Sequence, residues 1–201
     1  MSVNHPHVLI VLTGLLLGSV AAAAPQDFVI DPAHTYATFE VSHLGISTQR
    51  GRLGNAVGTA VLDDVQGTGE MTITLDAGSL STGSQLMEKL LKGSSWFSAE
   101  QYPAITFTAT SINFVAQKPS RIDGMLTLRG VTRPMNLTVT HYACTRLPFG
   151  VRLTCGMDAQ GVIKRSDFGM DSLLSFVGDD VKLLIQAEAV RQEPTPLELR
   201  S

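Results

Sequence analysis

Alternation with a period of two residues runs through most of this chain and restricts its fold more than any other feature. Ala37, Phe39, Val41 and His43 alternate with Thr38, Glu40 and Ser42, and Met71, Ile73 and Leu75 alternate with Thr72 and Thr74. The rhythm recurs at Ile105 and Phe107, at Leu126 and Leu128, at Leu137, Val139 and His141, and from Val181 through Leu183, Ile185 and Ala187 to Ala189. Successive side chains on a strand point to opposite faces, so these segments bury one face and wet the other, the antiparallel habit. Turn residues separate them at Asp31-Pro32, Gly51, Gly54-Asn55, Gly67-Thr68-Gly69, Lys118-Pro119, Asp123-Gly124 and Gly178-Asp179. Many strands at this spacing predict an all-β sandwich or barrel.

One segment departs from the rhythm. Leu86 and Leu90, then Met87 and Leu91, form i,i+4 pairs, with Ser84 placed to cap the start and Gly93 to end it. A short helix carried in a connection follows. Trp96 and Phe97 come next; they either cover an open end of the β structure or pack on the outside of a sheet, and both readings stay open.

The chain begins with an apolar run from Val8 to Val20 that breaks into Ala21 to Ala24. This is the pattern of a secretory signal peptide, with cleavage after Ala23, so residues 1–23 are set apart from the fold. Because Lys and Arg are missing before Val8, an uncleaved anchor stays open as the alternative. A domain over residues 26–191 and a loose tail over 192–201, containing Pro194 and Pro196, complete the division. Export is the expected consequence of such a segment. The net charge of −3 and the lack of a basic cluster argue against nucleic acid as a partner. Charged residues make up 16% of the chain, against about 25% in typical domains, which leaves room for a second apolar surface. Aromatic residues at 6% are too sparse for the two girdles of an outer-membrane barrel.

Both cysteines, Cys144 and Cys155, fall in the exported part, and an even count in an oxidising compartment favours a disulfide. If the chain folds back at Phe149-Gly150, residues whose numbers sum to 299 face each other, and these two do. A turn over Pro148-Phe149 with Gly150 at positive φ would shift that register by one.

No catalytic constellation assembles. The exported part holds His34, His43 and His141, without H-E-x-x-H, G-x-S-x-G, a phosphate-binding loop or a nucleotide fingerprint. No cofactor or metal site is expected. His43 and His141 fall in the apolar phase of their segments, so core histidines are the first expectation. A small exported enzyme or metal-dependent hydrolase using His43 and His141 is the alternative. His34 follows Asp31-Pro32 at the start of a strand, where a local turn hydrogen bond and a functional role explain it equally well. Asp63-Asp64 and Asp179-Asp180 read as solvated turn residues.

An ordered set of motifs is more specific than any one of them. Phe28-Val-Ile-Asp-Pro-Ala-His34 and Phe39-Glu-Val-Ser-His-Leu-Gly45 come first, then Ser79-Leu-Ser-Thr-Gly83, Trp96-Phe97 and Tyr102-Pro-Ala-Ile-Thr-Phe107. Gly124-Met-Leu-Thr-Leu-Arg-Gly-Val-Thr-Arg-Pro134 and Phe168-Gly-Met170 follow. In this order they resemble the YceI-like family of bacterial periplasmic proteins, from about Phe28 to Val190. The resemblance implies an extended, lipocalin-like antiparallel β-barrel, and it alone implies the periplasm as the destination of export. It also implies a binding or carrier role, without catalysis, for a polyisoprenoid or related amphiphilic lipid with its tail in the lumen. Where the family commonly carries Arg-Asp after the Ser-Thr-Gly motif, this chain has Met87-Glu88, which removes a cation from a place where a head group could be met.

Phe39, Val41, His43, Ile73, Ile105, Phe107, Leu137 and Val139 are the expected lumen lining, provided their strand phase is right. Small residues from Ala56 to Ala60 and at Gly124 either thin the wall around a ligand or relieve crowding in a bent strand. Arg50, Arg52, Lys89 and Lys92 are either candidates for an anionic head group or scattered surface charges, and both explanations fit equally well. Transient membrane contact is expected of a lipid carrier, and a homodimer is left open.

Overall fold

The computed structural model describes residues 25–63, 65–146 and 152–193. The expected signal segment, Asp64, the Pro148-Phe149-Gly150 turn and the tail from Pro194 onward lie outside the described residues. Ten strands are present among the described residues: β1 Gln26–Ile30, β2 Tyr36–His43, β3 Ser47–Leu53, β4 Val57–Asp63, β5 Thr68–Asp76, β6 Ala104–Val115, β7 Lys118–Leu128, β8 Val131–Arg146, β9 Leu153–Lys164 and β10 Val177–Arg191. One α-helix, α1, spans Gln85–Lys92 between β5 and β6.

All neighbouring strands pair antiparallel, and the ring closes because β10 pairs with β9 on one side and with both β1 and β2 on the other. β1 and β2 act as one long strand interrupted at residues 31–35, and β3 and β4 as its partner interrupted at 54–56. Counted this way the wall is a closed eight-strand up-and-down barrel, one of the two architectures that the alternation allows and the one that the family resemblance implies, and closure removes the exposed sheet edges. One end, the upper, carries the 44–46 turn, the 77–103 connection with α1, the 129–130 turn and the 165–176 connection. The lower end carries the 65–67 and 116–117 turns, the start of β1 and the end of β10.

The helix forms as its pattern requires. Ser84 Oγ accepts the Met87 N–H, and the Gly93 N–H reaches the Leu90 carbonyl. The segment before it is fixed by Glu88, whose carboxylate accepts the N–H groups of Thr82 at 2.8 Å and Gly83 at 3.2 Å, and the Ser81 hydroxyl at 3.1 Å. These bonds, the Thr82 N–H foremost, hold the Glu88 carboxyl below its ordinary value.

The two cysteines form a disulfide between directly opposed residues of β8 and β9, with Cα atoms 4.0 Å apart. The pairs Ala143↔Gly156 and Tyr142↔Met157 share the 299 register. Above them the register shifts between Val139 and His141, where Thr140 bulges out of the ladder. That bulge corrects one expectation: His141 leaves the apolar phase and stands exposed on the outer wall.

Other expectations also change. Gly51 lies within β3, Lys118-Pro119 opens β7 after the 116–117 turn, Asp123-Gly124 is not a turn but the middle of β7, and Gly178-Asp179 lies within β10. Asp63 is buried, and its carboxylate accepts the N–H groups of Val65 and Gln66 across the turn. Asp179 accepts both the N–H and the hydroxyl of Ser166, whereas Asp180 is exposed and pairs with Lys164 at 2.9 Å. The small residues relieve crowding. A Cβ on Gly124 would lie 2.4 Å from the Phe107 ring, one on Gly51 2.2 Å from the Phe39 ring, and one on Gly58 2.1 Å from the Thr72 carbonyl. Phenylalanine rings and a neighbouring strand occupy the space that these glycines leave.

His34 behaves as a turn residue. Its Nδ1 lies 2.7 Å from the Asp31 carboxylate and 4.0 Å from that of Glu188, and its side chain is largely exposed. The Asp31 hydrogen bond first, then the Glu188 and Asp31 charges, raise the imidazole pKa above its ordinary value. Since the folded value is the higher one, this contact stabilises fully below the unfolded imidazole pKa. The contribution fades as pH rises through the folded value. A proton NMR titration of the imidazole is expected to show His34 titrating above an ordinary histidine, and Asp31→Asn to lower that midpoint. Equal midpoints in the two proteins would exclude the contact.

Candidate functional site

The inner faces of the strands enclose three cavities strung along the barrel axis. The uppermost, about 200 Å³, opens under α1 and is walled by Phe39, Val41 and His43 of β2, by Met87, Leu90 and Leu91 of α1, and by Val177 and Val181 of β10. The middle cavity, about 90 Å³, lies among Ile73, Ile105, Phe107, Leu137, Leu183 and Ile185. The lowest, about 50 Å³, is bounded by Phe28, Ile30, Ile122, Tyr142 and the Cys155 end of the disulfide. The upper and middle cavities share Phe97, Leu128 and Ile163; the middle and lower share Met71 and Met157. These shared side chains are partitions in one apolar bore. Methionine is a yielding partition, since its unbranched thioether chain repacks at little cost.

Seven of the eight residues expected from phase alone stand on the bore. Phe39, Val41 and His43 line its mouth, and Ile73, Ile105, Phe107 and Leu137 its middle. Val139 packs against the core but lines none of the three cavities, since it sits beside the β8 bulge. His43 and His141 are not brought together: one lines the mouth, the other faces out from β8 beyond the bulge. The alternative that pairs them in one reactive centre therefore has no geometry behind it.

The aromatics after the helix cover the open end, the first of their two readings. Trp96 is buried, and Phe97 packs its ring 5.9 Å from that of Phe39. Arg129 anchors this segment by donating to the carbonyls of Ser94, at 3.1 Å, and of Trp96.

Among the expected cations, only Arg50 reaches the mouth, and its Nε donates to Glu40 at 2.7 Å. Arg52 lies 3.5 Å from the centre of the Tyr36 ring. Lys89 and Lys92 belong to the polar side of α1, away from the opening. The cation at the mouth that sequence reading missed is Arg165, which is 2% exposed. Its guanidinium donates to the carbonyls of Gly178 at 2.9 Å, Val177 at 2.8 Å, Ser172 at 2.9 Å and Met170, and lies 5.0 Å from the centre of the Trp96 ring. Burial draws its pKa below the ordinary guanidinium value, while the Asp179 and Asp171 charges oppose that shift. Arg165 follows Lys164 at a strand end, where a basic residue normally meets water, so nothing local signals its burial.

A closed antiparallel barrel with an apolar bore and one aromatic-lipped mouth defines a lipocalin-like protein, a fold suited to enclosing a small hydrophobic molecule. The chain belongs to the YceI family: the YceI-like domain model matches residues 28–189. Protein YceI of Escherichia coli O157:H7 is 30% identical over 181 residues, covering 89% of this chain and 94% of that protein. Among solved structures, the YceI protein of Campylobacter jejuni is 25% identical with a TM-score of 0.65, covering 76% of this chain and 90% of the other. A polyisoprenoid binding domain from Saccharophagus degradans shares the fold at 17% identity and a TM-score of 0.58, over 82% of this chain and 98% of its own.

Proposed function

We propose that this protein is an exported carrier that holds the tail of a polyisoprenoid or related amphiphilic lipid in its bore, in the periplasm, and performs no reaction on it. The observation that carries this reading is the bore itself, in which apolar side chains from β2, β5, β6, β8 and β10 face one axis and leave space between them. The likeness to the Saccharophagus degradans polyisoprenoid binding domain supports the same ligand class. The apolar run before Ala24 supports export.

Burying a tail of some 40 carbons at about 0.8 kcal/mol per methylene gives a gross gain near 30 kcal/mol. This exceeds the ceiling on non-covalent affinity, so ordering costs and side-chain rearrangement cancel much of it. The tail would have to displace Phe97 and the Met71–Met157 partition to run the whole length of the bore. Its competing home is a membrane rather than water, so a modest net preference suits a carrier that must also release.

Trp96 is the single tryptophan of the chain and stands at the mouth, so it reports occupancy. Titration with an isoprenoid quinone is expected to quench its fluorescence, and native mass spectrometry to show one lipid per chain. Ile73→Phe, which fills part of the middle cavity, should weaken quinone binding about tenfold or more while costing at most a few kcal/mol of stability. Quenching of equal affinity in a folded Ile73→Phe protein, or a chain that stays empty when offered both quinones and polyprenyl phosphates, would overturn the reading.

A further inference from the structure

Large apolar side chains are exposed at the mouth in three groups that come from distant parts of the sequence. Leu44 and Ile46, 50% and 81% exposed, sit on the turn between β2 and β3; Leu86 and Leu90, 81% and 53%, on α1. Leu173 and Phe176, 56% and 54%, stand on the connection from β9 to β10. At the opposite end, among the described residues, only Val65, on the turn after β4, and Val115, at the end of β6, are comparably exposed. Scattered single residues of that kind are ordinary, whereas a ring of six around one opening is not.

Two details show that the ring is built rather than left over. Leu44 and Leu173 both hold left-handed backbone, at φ 56° and 57°, where a branched side chain is disfavoured and glycine or asparagine is the usual occupant. Leu90 and Leu173 also line the upper cavity, so the exposed apolar surface runs without interruption into the bore. The two loop tips, Leu44 to Thr48 and Ser172 to Val177, carry no charged side chain.

We infer that this ring is a docking surface for a lipid bilayer, which it enters with the mouth facing the membrane. The inference rests on the carrier reading and extends it by naming where the exchange takes place. A flat apolar plate would suit a protein partner or a second copy. Three separate protrusions around an opening instead form a collar, and a collar sunk among acyl chains gives a lipid tail an apolar path from bilayer to bore. Since the tips are uncharged and the chain is net negative, attachment comes from apolar insertion and not from Coulombic attraction to anionic head groups.

The test uses the full exported chain and phosphatidylcholine vesicles in a flotation assay. The protein is expected to float with these vesicles, and raising salt to about 0.5 M, where charge attraction is screened within a few ångströms, should leave the bound fraction unchanged. The triple variant Ile46→Ser, Leu86→Ser, Phe176→Ser changes three residues that line none of the cavities. It should lose about tenfold in vesicle binding and in the rate of quinone transfer between vesicles, with Trp96 quenching by quinone in solution and the melting temperature unchanged. Flotation that salt abolishes, or a parent protein that binds quinone yet never floats, overturns the inference. So does a dimer in sedimentation that the triple variant dissociates, for then a second copy covers the ring. Flotation by a protein that binds no quinone would sink the carrier reading and leave the docking surface standing.

Discussion

Replacing Arg165 by methionine is expected to lower the stability of the domain by about 4 kcal/mol and its melting temperature by on the order of 10 °C. The side chain is almost fully enclosed, and four backbone carbonyls from the stretch between Met170 and Gly178 converge on its guanidinium. Methionine fills similar space and offers no donor, so those carbonyls are left in place without partners. An unsatisfied buried acceptor costs about 1–3 kcal/mol, and the acceptors nearest the mouth recover part of that from water. The connection between β9 and β10 would also lose its tie to Trp96, so tryptophan emission should move to longer wavelength. Arg165→Lys should recover only part of the loss, because one ammonium cannot span a fork of four acceptors. Thermal melts read by circular dichroism and by Trp96 fluorescence check both expectations. A methionine variant that melts within a degree or so of the parent would show that water takes over these bonds completely.

Removing the disulfide should produce the next largest loss. Cys144 and Cys155 are separated by 11 positions and face each other across the β8–β9 ladder. Opening a loop of this size restores about 3 kcal/mol of chain freedom to the unfolded state, which corresponds to roughly 6–12 °C in melting temperature for a domain of this length. The double substitution Cys144→Ser, Cys155→Ser and the parent protein in reductant should melt together, both below the oxidised parent. Coincidence of all three curves would mean that strand pairing alone sets the stability of this hairpin. Cys155 also lines the lowest cavity, so the bridge stands at the end of the bore away from the mouth.

The strands were legible because their signals are local. Alternation sets the face of each residue, and turn residues set where a strand stops; both act within a few positions of themselves. The same holds for α1, whose cap at Ser84 and stop at Gly93 are neighbours of the residues they serve. The bore was mostly legible too, since one correct phase per strand places every second side chain. Phase failed where the period failed. The bulge at Thr140 turned His141 outward, and a bulge is decided by what the neighbouring strand requires of the ladder.

By itself, then, the sequence determined an all-β chain, the pairing of its cysteines, the helix, and most of the side chains that face inward. Tertiary structure decided the rest: closure of the ring by β10 against β1 and β2, the burial of Arg165, and the exposed apolar side chains from three separate segments around the mouth. These depend on residues far apart in the chain arriving at one place. No local pattern carries that information, because distance in space is fixed only once the strands have found their partners.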